Sequence, residues 1–122
     1  MVRRLALSVV GVLLLHGTAA AQSADGKVLF TQRCGVCHTL NSATPSILAP
    51  HLAGVGGRKA GSVEGFRYSK ALSGSSIVWS EATLEQFLSA PGKMVPGTRM
   101  AVSIPDAKQR TAIVRYLVGQ RK

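Results

Sequence analysis

The chain has 122 residues, with 15 lysines and arginines against five acidic residues and a formal net charge of +10. This length fits one small domain with a modest hydrophobic core. A strong positive charge is typical of proteins that bind nucleic acid, an anionic membrane surface or an acidic protein partner. The export signal described next disfavours nucleic acid, and no run of five basic residues forms a nucleic-acid-binding tail.

The first 21 residues have the pattern of an export signal. Two arginines precede a mostly apolar run over residues 5–15, and three alanines just before Gln22 supply small residues for cleavage. The apolar run is shorter than the roughly 20 residues that a membrane-spanning helix needs. We expect residues 1–21 to be removed, near Ala21/Gln22, and residues 22–122 to form one domain in the periplasm. An uncleaved anchor is the alternative.

The main chemical feature is the segment Cys34-Gly35-Val36-Cys37-His38. Two cysteines three positions apart, with a histidine directly after the second, are typical of c-type haem attachment. Each thiol can form a thioether to one vinyl group, and the imidazole becomes the proximal iron ligand. Structural zinc usually needs four protein ligands, and the chain has no second cysteine pair. A thiol–disulfide redox pair would lie beside a βαβ pattern, which the sequence lacks.

The first half of the chain predicts one helix followed by a long loop. Ser23 is a possible N-cap for a helix that runs to about Arg33 and contains Gly26. Residues 39–65 are rich in serine, proline and glycine and show no period of 2 or 3.6. A loop of this length needs a reason, and packing against the edge of a flat cofactor is one. Disorder is the alternative, although several apolar residues in the loop favour an ordered path.

The second half predicts three further helical segments. Residues 68–72 form a short helical turn, and Ser80 caps a helix that ends at Pro91. The last helix runs from about Pro105 to about Val118. No segment predicts a strand. The predicted fold class is therefore all-α, with about three main helices, a short one, and long loops wrapped around one covalently bound haem.

Two methionines flank the Pro96-Gly97 turn and are candidates for the second iron ligand. A thioether is a soft, uncharged ligand that raises the reduction potential. The turn directly before Met100 can direct that side chain back toward the iron, so we prefer Met100 and interpret Met94 as structural. In the simplest alternative, neither methionine binds iron.

Five groups of residues together resemble class I cytochrome c, of the mitochondrial type and the bacterial cytochrome c2 type. They are Cys34–His38, Pro50-His51-Leu52, Gly57-Arg58-Lys59, Trp79 and Pro96–Met100. The resemblance extends over essentially the whole chain after the signal, in the same order and with similar spacings. It implies a cytochrome c fold, one haem c per chain, and one-electron transfer while the iron cycles between its ferric and ferrous states.

The resemblance also implies how the haem pocket is built. Pro50 would present its backbone carbonyl to the ring N–H of His38, which orients this ligand. Gly26 and Phe30 fall where the first and last helices of the family cross, and this would explain a glycine inside a helix.

The propionate groups of the haem have their own implied partners. Arg58, Tyr68 and Trp79 would hydrogen-bond or charge-pair with one propionate, and Thr98 would help to close the second. Without the resemblance, Arg58 would be interpreted as a surface arginine and Trp79 as a core aromatic.

Two pocket positions depart from the mitochondrial pattern. Leu72 stands where an asparagine is usual, and Phe87 stands where a tyrosine is usual. Both changes remove polar groups on the methionine side. Leu52 and Phe87 complete the predicted haem pocket.

Three cations adjoin the predicted haem edge, namely Arg33, Lys93 and Arg99. They would attract the acidic docking surface of a redox protein, such as a membrane oxidase, a cytochrome bc1-type complex, a reaction centre or a periplasmic dehydrogenase. Simple solubility is the alternative role for each charge. We expect a monomer that does not bind nucleic acid.

An electron carrier is the preferred function, with no catalytic residues, so the protein is not expected to be an enzyme. One alternative is a haem enzyme with an open iron site, similar to a peroxidase. Another is the electron-accepting cytochrome subunit of a dehydrogenase complex.

Overall fold

The computed structural model describes residues 18–44 and 46–120, with side chains described from Asp25 onward. Most of the predicted export signal lies outside the described residues. The helices are α1 (Thr18–Arg33), α2 (Lys70–Ser73), α3 (Glu81–Ser89), α4 (Pro91–Met94) and α5 (Ala107–Val118). The described ranges contain no strand, only an isolated antiparallel bridge between Lys59 and Val78. The predicted all-α class is confirmed, with three main helices and two short ones.

Helices α1 and α5 pack closely against each other at Gly26. A Cβ atom on Gly26 would lie 2.8 Å from the Cβ of Tyr116 and would also press on the backbone carbonyl of Ala112. The rings of Phe30 and Tyr116 meet nearby, with centroids 5.7 Å apart. Ile113, on the same helix as Tyr116, has no exposed surface. Close approach of the helices therefore explains why α1 contains a glycine despite its low helix propensity.

The start of α1 differs from the prediction. The helix begins at Thr18, so Ser23 lies inside it and is not its N-cap. Three alanines lie between these positions, and alanine has the highest helix propensity of all residues. In the full-length chain the helix therefore continues upstream through them. Removal of residues 1–21 would leave Ser23 near the start of the helix. Its predicted end at Arg33 is confirmed.

Helix α3 begins with a reciprocal cap. The backbone N–H of Thr83 donates to Ser80 Oγ at 3.2 Å, and the backbone N–H of Ser80 donates to Thr83 Oγ1 at 2.8 Å. The helix ends near the predicted position. Pro91 then occupies the first position of the short helix α4, which the sequence did not predict, and a missing N–H costs nothing at that position.

Helix α5 is joined to α3 by a partly buried ion pair. Arg110 Nε donates to Glu85 Oε2 at 2.7 Å, and a second nitrogen of Arg110 donates to the carbonyl of Ile104 at 2.9 Å. Asp106 caps the helix by accepting from the backbone N–H of Gln109 at 2.9 Å. This end of the core is therefore held by polar as well as apolar contacts.

The long loop is tied to the rest of the domain by backbone hydrogen bonds. Leu52 donates to the carbonyl of Thr39 at 2.8 Å, and Gly57 donates to the carbonyl of Trp79 at 2.7 Å. The backbone N–H of Trp79 in turn donates to the carbonyl of Arg58 at 2.9 Å. The loop therefore has the ordered path that we expected. Among the described residues, no helix is long and apolar enough to cross a membrane.

Candidate functional site

One cavity of about 570 Å³ lies between the end of α1, the long loop, α3 and the segment after the Pro96-Gly97 turn. Its volume lies in the range of small-molecule and cofactor sites. All predicted attachment, ligand and pocket residues line it: Cys34, Cys37, His38, Pro50, Leu52, Arg58, Tyr68, Trp79, Phe87, Thr98 and Met100. The fold therefore brings residues from distant parts of the chain to one site.

The cysteine motif continues the last turn of α1. The backbone N–H of Cys34 donates to the carbonyl of Phe30, and that of His38 donates to the carbonyl of Cys34, both at 2.8 Å. This turn brings both thiols to the cavity, where Cys34 is partly buried and Cys37 is exposed. Burial raises the pKa of Cys34 to about 11, although the charge of Arg33 opposes the shift. Both thiols are free rather than joined in a disulfide.

The imidazole of His38 is oriented by Pro50. The distance from His38 Nδ1 to the carbonyl oxygen of Pro50 is 2.7 Å. A carbonyl oxygen only accepts, so Nδ1 carries the proton and Nε2 keeps its lone pair for a metal. Burial lowers the pKa of His38 despite this hydrogen bond, which favours the neutral imidazole that metal binding requires.

The two candidate methionines lie in different surroundings. A turn closes where the backbone N–H of Thr98 donates to the carbonyl of Val95 at 3.0 Å, with Gly97 at a φ of 93°. A positive φ at this position suits glycine. Met100 follows the turn and lines the cavity, whereas Met94 belongs to α4 and packs against the core without lining it. The geometry thus favours Met100 as the donor at this site.

Arg58 and Tyr68 have protein partners that sequence reasoning did not anticipate. Two nitrogens of Arg58 donate to the carbonyls of His51 and Ala53, at 2.9 and 3.0 Å. The hydroxyl of Tyr68 accepts from the backbone N–H of Val63 at 3.2 Å. Burial raises the pKa of Tyr68, and the phenol is therefore neutral at ordinary pH.

The apolar wall of the cavity includes both departures from the mitochondrial pattern. Phe87 is buried and packs on Trp79, with ring centroids 5.1 Å apart, and Leu72 lines the same cavity. Neither side chain brings a polar group. Sequence reasoning missed several other lining residues: Ala49, Phe66, Leu84, Leu88, Ile104 and Leu117. Leu84 and Leu88 share a helical face with Phe87, and this spacing was the available signal.

The charged residues around the cavity are all positive. Five cations line it, namely Arg33, Arg58, Lys59, Arg67 and Arg99, and no aspartate or glutamate does. Arg99 donates to the carbonyl of Tyr68 at 2.7 Å, and Arg33 donates to the side chain of Gln109 at 3.3 Å. Lys93 is exposed on α4 and is not among the lining residues.

The donor set fits a covalently attached haem. Two free thiols, an oriented imidazole and a thioether surround a mainly apolar cavity, and nearby cations can neutralise carboxylates. In the part of the chain that the structure describes, no three histidine, cysteine or acidic side chains gather into a group that could hold a metal ion. Fold and site together define a class I c-type cytochrome.

Comparison with known proteins agrees with this class. The family model for cytochrome c matches residues 23–120. The chain is 45% identical to cytochrome c of Tetrahymena pyriformis over 107 residues, covering 87% of this chain and 92% of the relative. It is 40% identical to cytochrome c of Gibberella zeae over 98 residues, which are 80% of this chain and 92% of that protein. It is also 41% identical to cytochrome c2 of Rhodoblastus acidophilus over 86 residues, or 70% and 80% of the two chains.

The chain therefore belongs to the cytochrome c family. Its cofactor is covalently bound haem c, and its family function is to carry electrons between redox partner proteins.

Proposed function

We propose that this chain is a soluble periplasmic electron carrier that binds haem c through Cys34 and Cys37, with His38 and Met100 as the axial iron ligands. The observation that carries the proposal is that these four side chains line one cavity, although they come from two segments far apart in the chain. The electron-transfer function follows from the family, and the closure of the site by Met100 favours a carrier over an open-site enzyme.

The haem supplies a one-electron couple between ferric and ferrous iron, and the protein supports it in three ways. His38 is kept neutral and oriented by its bond to Pro50. Trp79 and Phe87 exclude water from one wall, which lowers the local dielectric constant. Arg58 and Tyr68 place polar groups where haem carboxylates can lie.

Optical spectra of the purified protein test the ligand set. We expect a six-coordinate, low-spin spectrum in both oxidation states, with the red charge-transfer band of a sulfur–iron bond in the ferric protein. A high-spin ferric spectrum would contradict ligation by Met100. Replacing both cysteines by alanine should leave the haem extractable by acidic acetone, whereas the unaltered protein should retain it.

The location rests on the pattern of residues 1–21, most of which lie outside the described residues. We propose that export removes this segment. N-terminal sequencing of the protein from a periplasmic fraction should begin at Gln22. A mature protein that begins at Met1 and sediments with membranes would instead indicate a retained anchor.

The docking surface is proposed to consist of Arg33 and Arg99, which line the cavity, together with Lys93. Arg99→Gln should slow reduction of a solubilised terminal oxidase about threefold at low ionic strength, because one attractive charge is lost. The effect should shrink as salt is added. Lys27→Gln is the matched control, since Lys27 is exposed on α1 and does not line the cavity. Equal slowing by both variants would show that only the net charge matters.

A further inference from the structure

The guanidinium group of Arg58 donates two hydrogen bonds to the loop that follows Pro50, and we call this pair of hydrogen bonds the fork. One terminal nitrogen donates to the carbonyl of Ala53 at 3.0 Å, and the other donates to the carbonyl of His51 at 2.9 Å. Both hydrogen bonds are partly buried. A guanidinium group is planar and charged, so two bonds from it fix their acceptors in direction as well as in distance.

The backbone of Arg58 is itself held in place by two hydrogen bonds. The backbone N–H of Arg58 donates to Val55 at 3.0 Å, and its carbonyl accepts from Trp79 at 2.9 Å. Trp79 is only 7% exposed, so this attachment belongs to the core of the domain. The fork therefore ties the loop at residues 51–53 to a buried backbone segment and restricts where this loop can lie.

The same loop is held on its other side by residues next to the haem-binding histidine. The carbonyl of Pro50 accepts from His38 Nδ1 at 2.7 Å, and the backbone N–H of Leu52 donates to Thr39 at 2.8 Å. Successive residues thus alternate between two partners. Pro50 and Leu52 bond to the segment that contains His38, while the two residues His51 and Ala53 bond to Arg58.

We propose that Arg58 is a positioning residue that fixes the Pro50 carbonyl and, through it, the plane of the His38 imidazole. This inference rests on the proposed role of His38 as an axial ligand. It differs from the propionate partnership implied by the family resemblance, because here the number and geometry of the N–H donors matter, and not the positive charge alone. Without the fork, residues 51–53 lose two of their anchors, and the carbonyl of Pro50 gains freedom to tilt.

Arg58→Lys tests the proposal, because lysine keeps the positive charge but lacks the planar fork. The first measurement is hydrogen exchange at His38 Nδ1–H, which should become at least about tenfold faster, as expected when hydrogen bonds to a charged donor are lost. The second is the proton NMR spectrum of the ferric protein. The spread of the four haem methyl resonances depends on the direction of the imidazole plane and should change.

Arg115→Lys is the matched control, because it also replaces an arginine while keeping the positive charge. Arg115 lies on α5, forms an exposed ion pair with Glu81 at 3.5 Å, and does not line the cavity. Its replacement should leave both the exchange rate and the methyl pattern unchanged. If Arg58→Lys fails to fold, Arg58→Gln, which also lacks the fork, provides the same two readouts.

A wild-type exchange rate and methyl pattern in either folded Arg58 variant would overturn the proposal. Failure of the proposed function would look different, because the unaltered protein itself would then lack a low-spin spectrum. The two failures are therefore distinguishable in one set of samples.

Discussion

Replacement of Met100 by alanine is expected to convert the ferric protein from a low-spin to a high-spin form and to remove the sulfur–iron charge-transfer band. The reduction potential should fall by a few tenths of a volt, within the roughly 0.8 V range that axial ligands control. The physical reason is that a thioether stabilises ferrous iron, whereas the water that can replace it favours the ferric state. Spectroscopy and a redox titration of the same sample measure both effects.

Met94→Ala is the matched control for this experiment. Met94 is also partly buried and lies only six positions earlier, but it packs in α4 and does not line the cavity. Its replacement should leave the spectrum and the potential unchanged, with only a modest loss of stability from the missing core contacts. A low-spin spectrum in Met100→Ala, together with a high-spin spectrum in Met94→Ala, would reverse the assignment.

The extent to which the sequence predicts this site depends on how local each interaction is. The haem-attachment motif and the capping role of Ser80 could be predicted because their partners lie within a few residues, in a helical turn or a cap. The Pro96-Gly97 turn could be predicted for the same reason, and in the structure Met100 after the turn lines the cavity whereas Met94 before it does not. Ligation of the iron by Met100 stays a prediction. In these cases, spacing along the chain determines spacing in the fold.

Interactions that depend on the path of the long loop could not be predicted. The bonds from Arg58 to His51 and Ala53 require a particular reversal of the chain, and no periodicity in residues 39–65 specifies it. The bond from Val63 to Tyr68 is of the same kind. The resemblance to the family implies that Arg58 and Tyr68 lie at the haem, and in the structure both line the cavity. Their backbone partners became visible only in the structure.

The start of α1 shows a different limit on what can be predicted from the sequence. Ser23 has the residue type of an N-cap, yet the preceding alanines favour a helix strongly enough to extend it upstream. Cap residues indicate where a helix can begin, and their flanking residues decide whether it does. The glycine inside the same helix was explained by the helix crossing that the family resemblance implies, and the contact of Gly26 with α5 agrees with that explanation.

Gly26→Ala is expected to destabilise the folded protein by about 2 kcal/mol, within the range for overpacking a tight contact. Alanine has the higher helix propensity, but its Cβ would lie 2.8 Å from the Cβ of Tyr116 and against the carbonyl of Ala112. That carbonyl belongs to the α5 backbone and cannot move without shifting the helix. Thermal unfolding of the holoprotein should show a midpoint lowered by roughly 8–16 °C, at about 4–8 °C per kcal/mol for a domain of this size.

Gly92→Ala provides the control, because Gly92 also lies in a helix and a Cβ there would meet no atom within 4 Å. It should leave the midpoint unchanged or raise it slightly, since alanine costs less backbone entropy on folding than glycine. Equal midpoints for Gly26→Ala and the unaltered protein would show that α1 and α5 can separate at this position without loss of stability. The close approach of the two helices would then be a permitted arrangement rather than a required one, and the glycine in α1 would need another explanation.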